Sequence, residues 1–531
     1  MSDESTEANG PPSETDEQRS EADDADERRE SITEGSLLRP LFHLAWPVVI
    51  IQLLQVTYNV VDTLYLGRLS ADAVAAISLA FPLIFLLISI AAGFTTAGAI
   101  LVAQYTGAGG ERSAGLVAGQ TVSFVSALSV VIAAVGYLLT RPGLELLPSA
   151  QETSDRIIPL AADYMEVFFL GIPFLFGFFV FTAILRGYGD TRTPMYVMVL
   201  SVVANVLINP FLIFGFQGNP LLGLVALGGV ESALFAATGF TGFGIEGAAL
   251  ATIIARGAAS AIGLYLLFWT GIGPTVRLAH LRPNLGFIED IVRLGVPSMV
   301  ENSMNALAQI TLVAIVVGFS PAVVAAYGLG NRIVSLVFLP AMGLGRAIDT
   351  MVGQNLGANR PDRATRSIYL AVTTAAGVML VVAVVAVVAT EPIVGVFLGD
   401  VPDAPATVAS GVEYVRTRSV EFAFIGVTQV ILGAFRGAGN TKTAMVISII
   451  TLWVGRVGTV CLLVFGLGWD ETGIWIGMAV GNIIGAAVAV PWLLRGGWKE
   501  AYIDEPAETT ADDIAPTADS APGQSPETDE H

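Results

Sequence analysis

One acid and three polar side chains inside strongly apolar runs are the residues best suited to chemistry. Asp62 is a functional candidate, because a carboxylate in a membrane helix costs about 2.5 to 3.5 kcal/mol on insertion scales. Asn205 and Asn209 are one helical turn apart and share a helix face. Together with Asp62 and Thr252, these asparagines offer one carboxylate, two amide oxygens and a hydroxyl, which are suitable ligands for Na⁺. A desolvated carboxyl also takes up a proton, so the pattern predicts a site for Na⁺ or H⁺.

Structural roles stay open for each of these residues. Asp62 is also compatible with an acid that reaches the outer lipid headgroups. Asn205 and Asn209 are compatible with amide hydrogen bonds between helices, which are common in membrane bundles. Thr252 is compatible with a hydroxyl that bonds its own backbone.

A second acid, Glu301, stands in an apolar run four residues after Pro297. An acid inside a span is a functional candidate, and the alternative for Glu301 is a structural partner of Asn305 or of a neighbouring helix. Pro47 and Pro297 lack a backbone N–H early in their runs, which permits a helix to bend. The three histidines stand far apart without ligand spacing, so we predict no metal cluster.

Long apolar runs must position these residues. Of the 531 residues, 53% are apolar and 14% charged, and a mean hydropathy of +0.68 excludes an ordinary soluble protein. A bilayer core about 30 Å thick needs about 20 helical residues, and twelve runs reach that length. We predict spans near residues 41–65, 74–103, 114–140, 159–185, 194–216, 244–270, 289–318, 323–353, 365–389, 412–435, 444–467 and 473–495.

Charge in the loops and tails sets the predicted orientation. Arginine and lysine concentrate in the short loops on one side of the spans, which predicts that this side faces the cytoplasm. We therefore expect a plasma membrane protein with both termini in the cytoplasm. The net charge of −20 is carried almost entirely by residues 1–38 and 499–531, whose composition is typical of disorder. Scarce lysine with acidic tails indicates either a halophilic source or a GC-rich genome.

The sequence repeats itself at an offset of 250 residues. Matching residues in three separate segments coincide at this offset: Gln104 with Gln354, Arg186 with Arg436, and Pro47 with Pro297. Each half holds six predicted spans, so both halves enter the membrane from the same face, as in a parallel repeat. We predict two six-helix lobes over residues 39–282 and 283–498, which is how alternating-access carriers are built.

The two halves carry their acids at different places. At the same offset Asp62 falls on Leu312, and Glu301 falls on Ile51. This difference indicates different jobs on one scaffold, and a cation site in the second half stays open.

Five motifs give the chain a resemblance to MATE (multidrug and toxic compound extrusion) transporters of the prokaryotic NorM and DinF types. They are PVVIIQLLQVTYNVVDTLYLGRL, LRGYGDTRTPM, NVLINPFLIFG, GIEGAALAT and GVPSMVE. The resemblance implies an all-α polytopic membrane protein of twelve transmembrane helices, arranged as two six-helix lobes in a V. It also implies export of organic cations or amphipathic compounds in exchange for Na⁺ or H⁺, with no cofactor and no enzymatic activity.

The resemblance also implies roles for particular residues. The cation site would comprise Asp62, Asn205, Asn209 and Thr252, and the substrate cavity would include Gln55, Asn59 and Glu301. DinF-type members carry an aspartate where this chain has Asn209, which favours Na⁺ over a proton site with two carboxylates. Bending at Pro47, and at its repeat Pro297, would couple cation binding to the cavity.

Two other functions stay open. A lipid-linked oligosaccharide flippase of the same superfamily would favour a cationic cavity, but few arginines interrupt the spans: Arg256, Arg332, Arg346 and Arg456. An intramembrane enzyme would need a second acid or a nucleophile–base pair beside Asp62, and none is apparent. The segments LRGYGDTRTPM and FRGAGNTKTAM are predicted cytoplasmic loops whose arginines anchor the topology. The expected partners are small-molecule substrates and the bilayer, with no nucleic acid and a monomeric chain.

Overall fold

A computed structural model describes residues 29–145, 151–224, 228–398 and 404–503. Most of the two acidic tails that we predict to be disordered lies outside these ranges. Within them, all regular structure is helical, as the apolar composition predicts.

Ten helices are long and apolar enough to cross a membrane, and two bent helix pairs bring the number of spans to twelve. Numbered in chain order, spans 1 to 12 are Leu38–Leu69, Ala71–Gly107, Glu111–Glu145, Asp155–Leu170 with Ile172–Tyr188, Arg192–Phe214, Ile245–Trp269, Leu285–Val316, Pro321–Gly357, Pro361–Val388, Thr407–Ser419 with Phe422–Gly437, Thr441–Gly466, and Glu471–Leu494. The twelve predicted spans therefore each correspond to a helix or a bent pair, and all but span 6 begin a few residues before the predicted start.

Local sequence explains where the helices begin and end. The Ser70 side chain accepts a hydrogen bond of 3.0 Å from the backbone N–H of Ala73 and so caps the start of span 2. Spans 8 and 9 begin with a proline, whose fixed φ suits the first helical position. Span 4 ends at Gly189, whose φ of 102° is one that residues with a side chain rarely adopt.

The sharp bends occur in spans 4 and 10, at equivalent positions of the repeat. The two parts of span 4 meet at Gly171 at 53°, and those of span 10 meet near Glu421 at 50°. These two residues are separated by the same 250 positions that relate the halves. Spans 1 and 7, by contrast, run through Pro47 and Pro297 as continuous helices.

The two lobes lock together through a reciprocal pair of hydrogen bonds. Gln104 Nε2 donates to the carbonyl of Gly437 at 2.9 Å, and Gln354 Nε2 donates to the carbonyl of Gly187 at 3.0 Å. Both donors and both acceptors are related by the 250-residue offset. The repeat is therefore a pseudo-twofold relation between the lobes, as predicted.

Spans 1 and 7 lie between the lobes. Span 1 packs against span 5 of its own lobe and span 8 of the other, and span 7 packs against span 11 and span 2. A residue on span 1 can therefore belong both to the interior of the first lobe and to the interface. Span 11 departs from its counterpart, since Ile450–Gly458 and Leu462–Gly466 are π-helical while span 5 is a regular α-helix.

Candidate coupling site and central cavity

Span 1 carries a row of polar side chains along one helix face. Gln52, Gln55, Asn59 and Asp62 recur every three or four residues, which places them one above the other. Gln55 Nε2 donates to Asn59 Oδ1 at 3.2 Å, so part of this row is hydrogen-bonded along the helix. The row connects the level of Gln52 with that of Asp62, about 15 Å further along at 1.5 Å per residue.

Span 5 brings both of its asparagines against this row. Asn209 Nδ2 donates to Asp62 Oδ1 at 2.5 Å, and Asn205 Nδ2 donates to the Tyr58 hydroxyl at 2.9 Å. Both asparagines are completely buried, whereas Asp62 is half-buried. Asn205 and Thr252 also lie within interaction range of the Asp62 carboxylate. The four residues predicted for a cation site therefore lie together in the first lobe.

Three buried oxygens in this cluster have no hydrogen-bond partner among the residues that the structure describes. They are Asn205 Oδ1, Asn209 Oδ1 and Thr252 Oγ1. Leaving a buried polar atom unpaired costs about 1 to 3 kcal/mol, so such groups normally find a partner. Carbonyl and hydroxyl oxygens beside a carboxylate are the ligands that a hard cation takes.

Arg256 lies one helical turn after Thr252 and faces the same interior. Its Nη2 donates to Gln55 Oε1 at 2.5 Å, and its guanidinium carbon lies 4.9 Å from the centre of the Tyr58 ring and 5.1 Å from that of Phe178. Stacking on aromatic faces stabilises a buried guanidinium. Arg256 also interacts electrostatically with Asp62, so the acid has a counter-charge in its own lobe.

A cavity of about 220 Å³ lies between the lobes and includes part of the span 1 row. Polar groups on spans 1, 2, 4 and 8 line it: Gln52, Gln55, Thr95, Thr96, Arg186 and Arg346. We call this space the central cavity. Pockets that hold drug-sized ligands measure about 300 to 1,000 Å³, so the lobes must part further to admit such a molecule. A larger groove of about 990 Å³ lies at the start of span 1 near Arg39, and none of the predicted site residues lines it.

Glu301 lies inside the second lobe and does not line the central cavity. Its side chain is 4% exposed, and its carboxylate accepts a hydrogen bond of 3.0 Å from Arg436 Nη1. Asn305 Nδ2 donates to the Glu301 backbone carbonyl at 3.1 Å and not to its carboxylate. The prediction that the arginines of FRGAGNTKTAM anchor a cytoplasmic loop is wrong for Arg436, because this residue is buried within span 10 and paired with an acid.

The bend of span 10 holds a second buried ion pair. The Glu421 carboxylate accepts from Arg418, one turn earlier, and from Asn482 of span 12 at 2.8 Å. Arg418 also donates to the Tyr414 hydroxyl at 2.9 Å. Both Glu421 oxygens therefore already have protein partners.

Comparison with known proteins identifies the family. The MatE family model matches residues 47–211 and again residues 297–461, together more than half of the chain and separated by the same 250 positions. The chain belongs to the MATE family. A probable multidrug resistance protein of Bacillus subtilis, YoeA, is 30% identical over 86% of this chain and 93% of its own length. An FAD transporter of Shewanella oneidensis is 28% identical over 64% of this chain and 70% of its own length.

A solved structure supports the MATE fold. It is described as the outward-facing conformation of a multidrug resistance MATE family transporter, and it matches with a TM-score of 0.76 at 23% identity. The match covers 89% of this chain and 99% of that one. The predictions of the MATE family, of an all-helical membrane protein and of two repeated lobes are thereby confirmed.

Sequence reasoning missed three features of this MATE interior. Tyr58 and Arg256 complete the Asp62 cluster, and the only signal for Arg256 is a charge one turn after Thr252. Arg418 pairs with Glu421, and its spacing of three from that acid is typical of an ion pair within a helix. Arg186 belongs to a predicted loop motif, yet its side chain lines the central cavity.

Proposed function

We propose that this chain is a secondary active multidrug exporter that expels amphipathic compounds in exchange for a cation bound in the first lobe. The observation that carries the proposal is the Asp62 cluster, in which a carboxylate meets Asn209 at 2.5 Å beside three buried oxygens without partners among the described residues. The Bacillus subtilis relative is named a probable multidrug resistance protein, which supports the same function.

Na⁺ fits this cluster better than H⁺. A proton would neutralise Asp62, but its single O–H could donate to only one of the oxygens of Asn205, Asn209 and Thr252. Na⁺ would take the carboxylate together with these neutral oxygens, which need no deprotonation to act as ligands. No group of three or more His, Cys, Asp or Glu among the described residues could hold a transition metal.

Span 1 supplies a direct route from the ion to the substrate. Asp62 and the cavity-lining Gln52 and Gln55 share one helix face, so any movement of span 1 reaches both sites. Arg256 adds a second link, because it bonds Gln55 and stacks on Tyr58. We propose that cation binding at Asp62 changes the position of span 1, with Pro47 as the point that absorbs the change.

The second lobe offers no comparable ion site among the described residues. Glu301 and Glu421 are each buried against an arginine, and an ion there would have to replace that partner. We therefore propose that both act in packing the lobe and that coupling belongs to the first lobe alone.

Efflux from proteoliposomes tests the exporter, with Na⁺ and pH gradients imposed separately. We expect Na⁺-driven efflux of an amphipathic dye in the wild type, and a fall of about 100-fold in Asp62→Asn, since the only carboxylate of the proposed site is lost. Glu246→Gln, at the first turn of span 6, is the matched control and should retain transport. Efflux that persists in Asp62→Asn, or that follows only the pH gradient, contradicts the proposed coupling.

A lipid-linked oligosaccharide flippase is a second candidate, because Arg186 and Arg346 give the central cavity the cationic lining that a pyrophosphate needs. Movement of a labelled pyrophosphate lipid between leaflets, without efflux of any soluble dye, would decide for it. We further propose that the chain acts as a monomer in the plasma membrane with both termini in the cytoplasm. Labelling of a cysteine placed at Ser36 with an impermeant reagent, in Cys461→Ser protein, tests that orientation.

A further inference from the structure

The repeat explains why one arginine in the central cavity has no bonded acidic partner among the residues that the structure describes. Arg436 of the second lobe is paired with Glu301 at 3.0 Å. Its counterpart at the 250-residue offset is Arg186, and the counterpart of Glu301 is Ile51. Both Arg186 and Ile51 line the central cavity. The first lobe therefore keeps the cation of this pair and lacks the anion.

The Arg186 guanidinium makes no hydrogen bond or ion pair with any residue in the described part of the chain. The acid that attracts it is Asp349, which already lies 3.5 Å from Arg346. Burying an unpaired charge is energetically costly, so an anion that enters the cavity is stabilised by supplying the counter-charge that Arg186 lacks.

Arg346 brings a second cation to the cavity from the other lobe. It stands on span 8, where the first half has Thr96, and its side chain is 21% exposed. Its contact with Asp349, at 3.5 Å, is at the outer limit of a hydrogen bond. Five charged groups interact with one another beside the central cavity. They are the cations Arg186, Arg346 and Arg436 and the anions Asp349 and Glu301, so together they carry a net charge of +1.

The remaining walls suit a molecule that is part polar and part apolar. Amide and hydroxyl groups of Gln52, Gln55, Thr95 and Thr96 face the cavity near the arginines. Aromatic and methionine side chains complete it: Phe178, Phe179, Met198 and Met342. Guanidinium groups bind carboxylate, sulfonate and phosphate oxygens in a planar, often bidentate geometry.

We propose that the central cavity binds amphipathic anions, with the anionic group between Arg186 of the first lobe and Arg346 of the second. The proposal rests on the exporter function above and narrows its substrates, because an organic cation would meet two arginines there. The anion would bridge the lobes, so its binding and the closing of the lobes would support each other.

Two xanthene dyes of similar size but opposite charge test this inference in proteoliposomes at pH 8. Fluorescein is an anion and rhodamine 6G is a cation. We expect the wild type to export fluorescein in preference to rhodamine 6G. Arg186→Gln and Arg346→Gln should each raise the KM for fluorescein at least about tenfold, which corresponds to about 1.4 kcal/mol of lost binding. Arg186→Lys should retain part of the transport, because it keeps the charge.

Ile51→Glu is the sharpest variant, because it recreates in the first lobe the acid that pairs Arg436 in the second. It should abolish fluorescein efflux and shift the preference towards rhodamine 6G. Arg332→Gln is the matched control, since Arg332 is exposed on span 8. Binding of fluorescein to purified protein, followed by polarisation, separates loss of affinity from loss of folding.

Three other outcomes would each overturn the inference, and the two dyes distinguish them. Export of rhodamine 6G alone leaves the exporter intact and removes the anion site. Fluorescein efflux that is unchanged in both arginine variants shows that anions pass without these residues. Movement of neither dye under either gradient overturns the exporter function, and the inference falls with it.

Discussion

The interiors of the two lobes differ in the partners that surround their buried acids. In the first lobe a half-buried acid, Asp62, is surrounded by buried oxygens that lack partners among the described residues. In the second lobe Glu301 and Glu421 are completely or almost completely buried, and each meets an arginine. The first lobe therefore places unpartnered neutral oxygens beside its acid, whereas these two acids of the second lobe already have cationic partners.

This difference arises on one scaffold. The reciprocal bonds of Gln104 and Gln354 and the bends of spans 4 and 10 follow the repeat closely. The buried acids do not, since Leu312 stands at the Asp62 position and Ile51 at the Glu301 position. Helix packing constrains the backbone of both halves alike, while a few side chains are free to give each half its own chemistry.

The largest effect is expected from removing an acid of the second lobe. Glu421→Ala leaves Arg418 buried without its partner, which should lower the free energy of unfolding by about 3 to 5 kcal/mol. Thermal unfolding in detergent measures this loss. The matched control is Asp62→Ala, which should change stability much less because Asp62 is half-buried beside unsatisfied groups. Equal losses in the two variants would remove the distinction between the lobes.

Asn209→Asp should change which ion drives transport. It places a second carboxylate where Asn209 contacts Asp62 at 2.5 Å, and like charges at that range favour retention of one proton. Na⁺-driven efflux in this variant should fall roughly tenfold between pH 8 and pH 6, since proton uptake competes with Na⁺. The wild type, with one carboxylate, should vary less over this range. Identical pH profiles would contradict the assigned site.

Thr252→Val should have the smallest of these effects. It removes one neutral oxygen and keeps the side-chain shape, so the Na⁺ concentration for half-maximal efflux should rise about threefold to tenfold, or about 1 kcal/mol. Thr428→Val is the control in the second lobe, where Thr428 Oγ1 is also buried without a partner among the described residues. An equal rise in both variants would mean that Thr252 contributes no more to Na⁺ binding than Thr428 does.

The fold is predictable because membrane spans leave a strong signal in sequence. Long apolar runs locate all twelve spans, and the 250-residue offset alone separates the two lobes. The position of the bends is not predictable, since Pro47 and Pro297 lie in continuous helices while span 4 bends at Gly171. Such bends depend on packing between helices, which the sequence of a single helix does not contain.

A site residue can be predicted from the sequence only where placing it in a membrane span is energetically unfavourable. Asp62 stands out because a charge in an apolar span is energetically expensive, and helix periodicity places Asn205 and Asn209 on one face of span 5. The pairing of Arg436 with Glu301 links residues 135 positions apart, so spacing gives no indication of it. Arg186 lies near the end of span 4, where a loop is the natural expectation, and only the three-dimensional structure shows that it lines the central cavity.

Equilibrium binding of radioactive Na⁺ to the purified protein shows directly which lobe holds the ion. We expect saturable binding in the wild type, loss of binding in Asp62→Asn, and retention in folded Glu421→Gln protein. Binding that survives in Asp62→Asn and disappears in Glu421→Gln would place the ion in the second lobe and exclude a coupling site at Asp62.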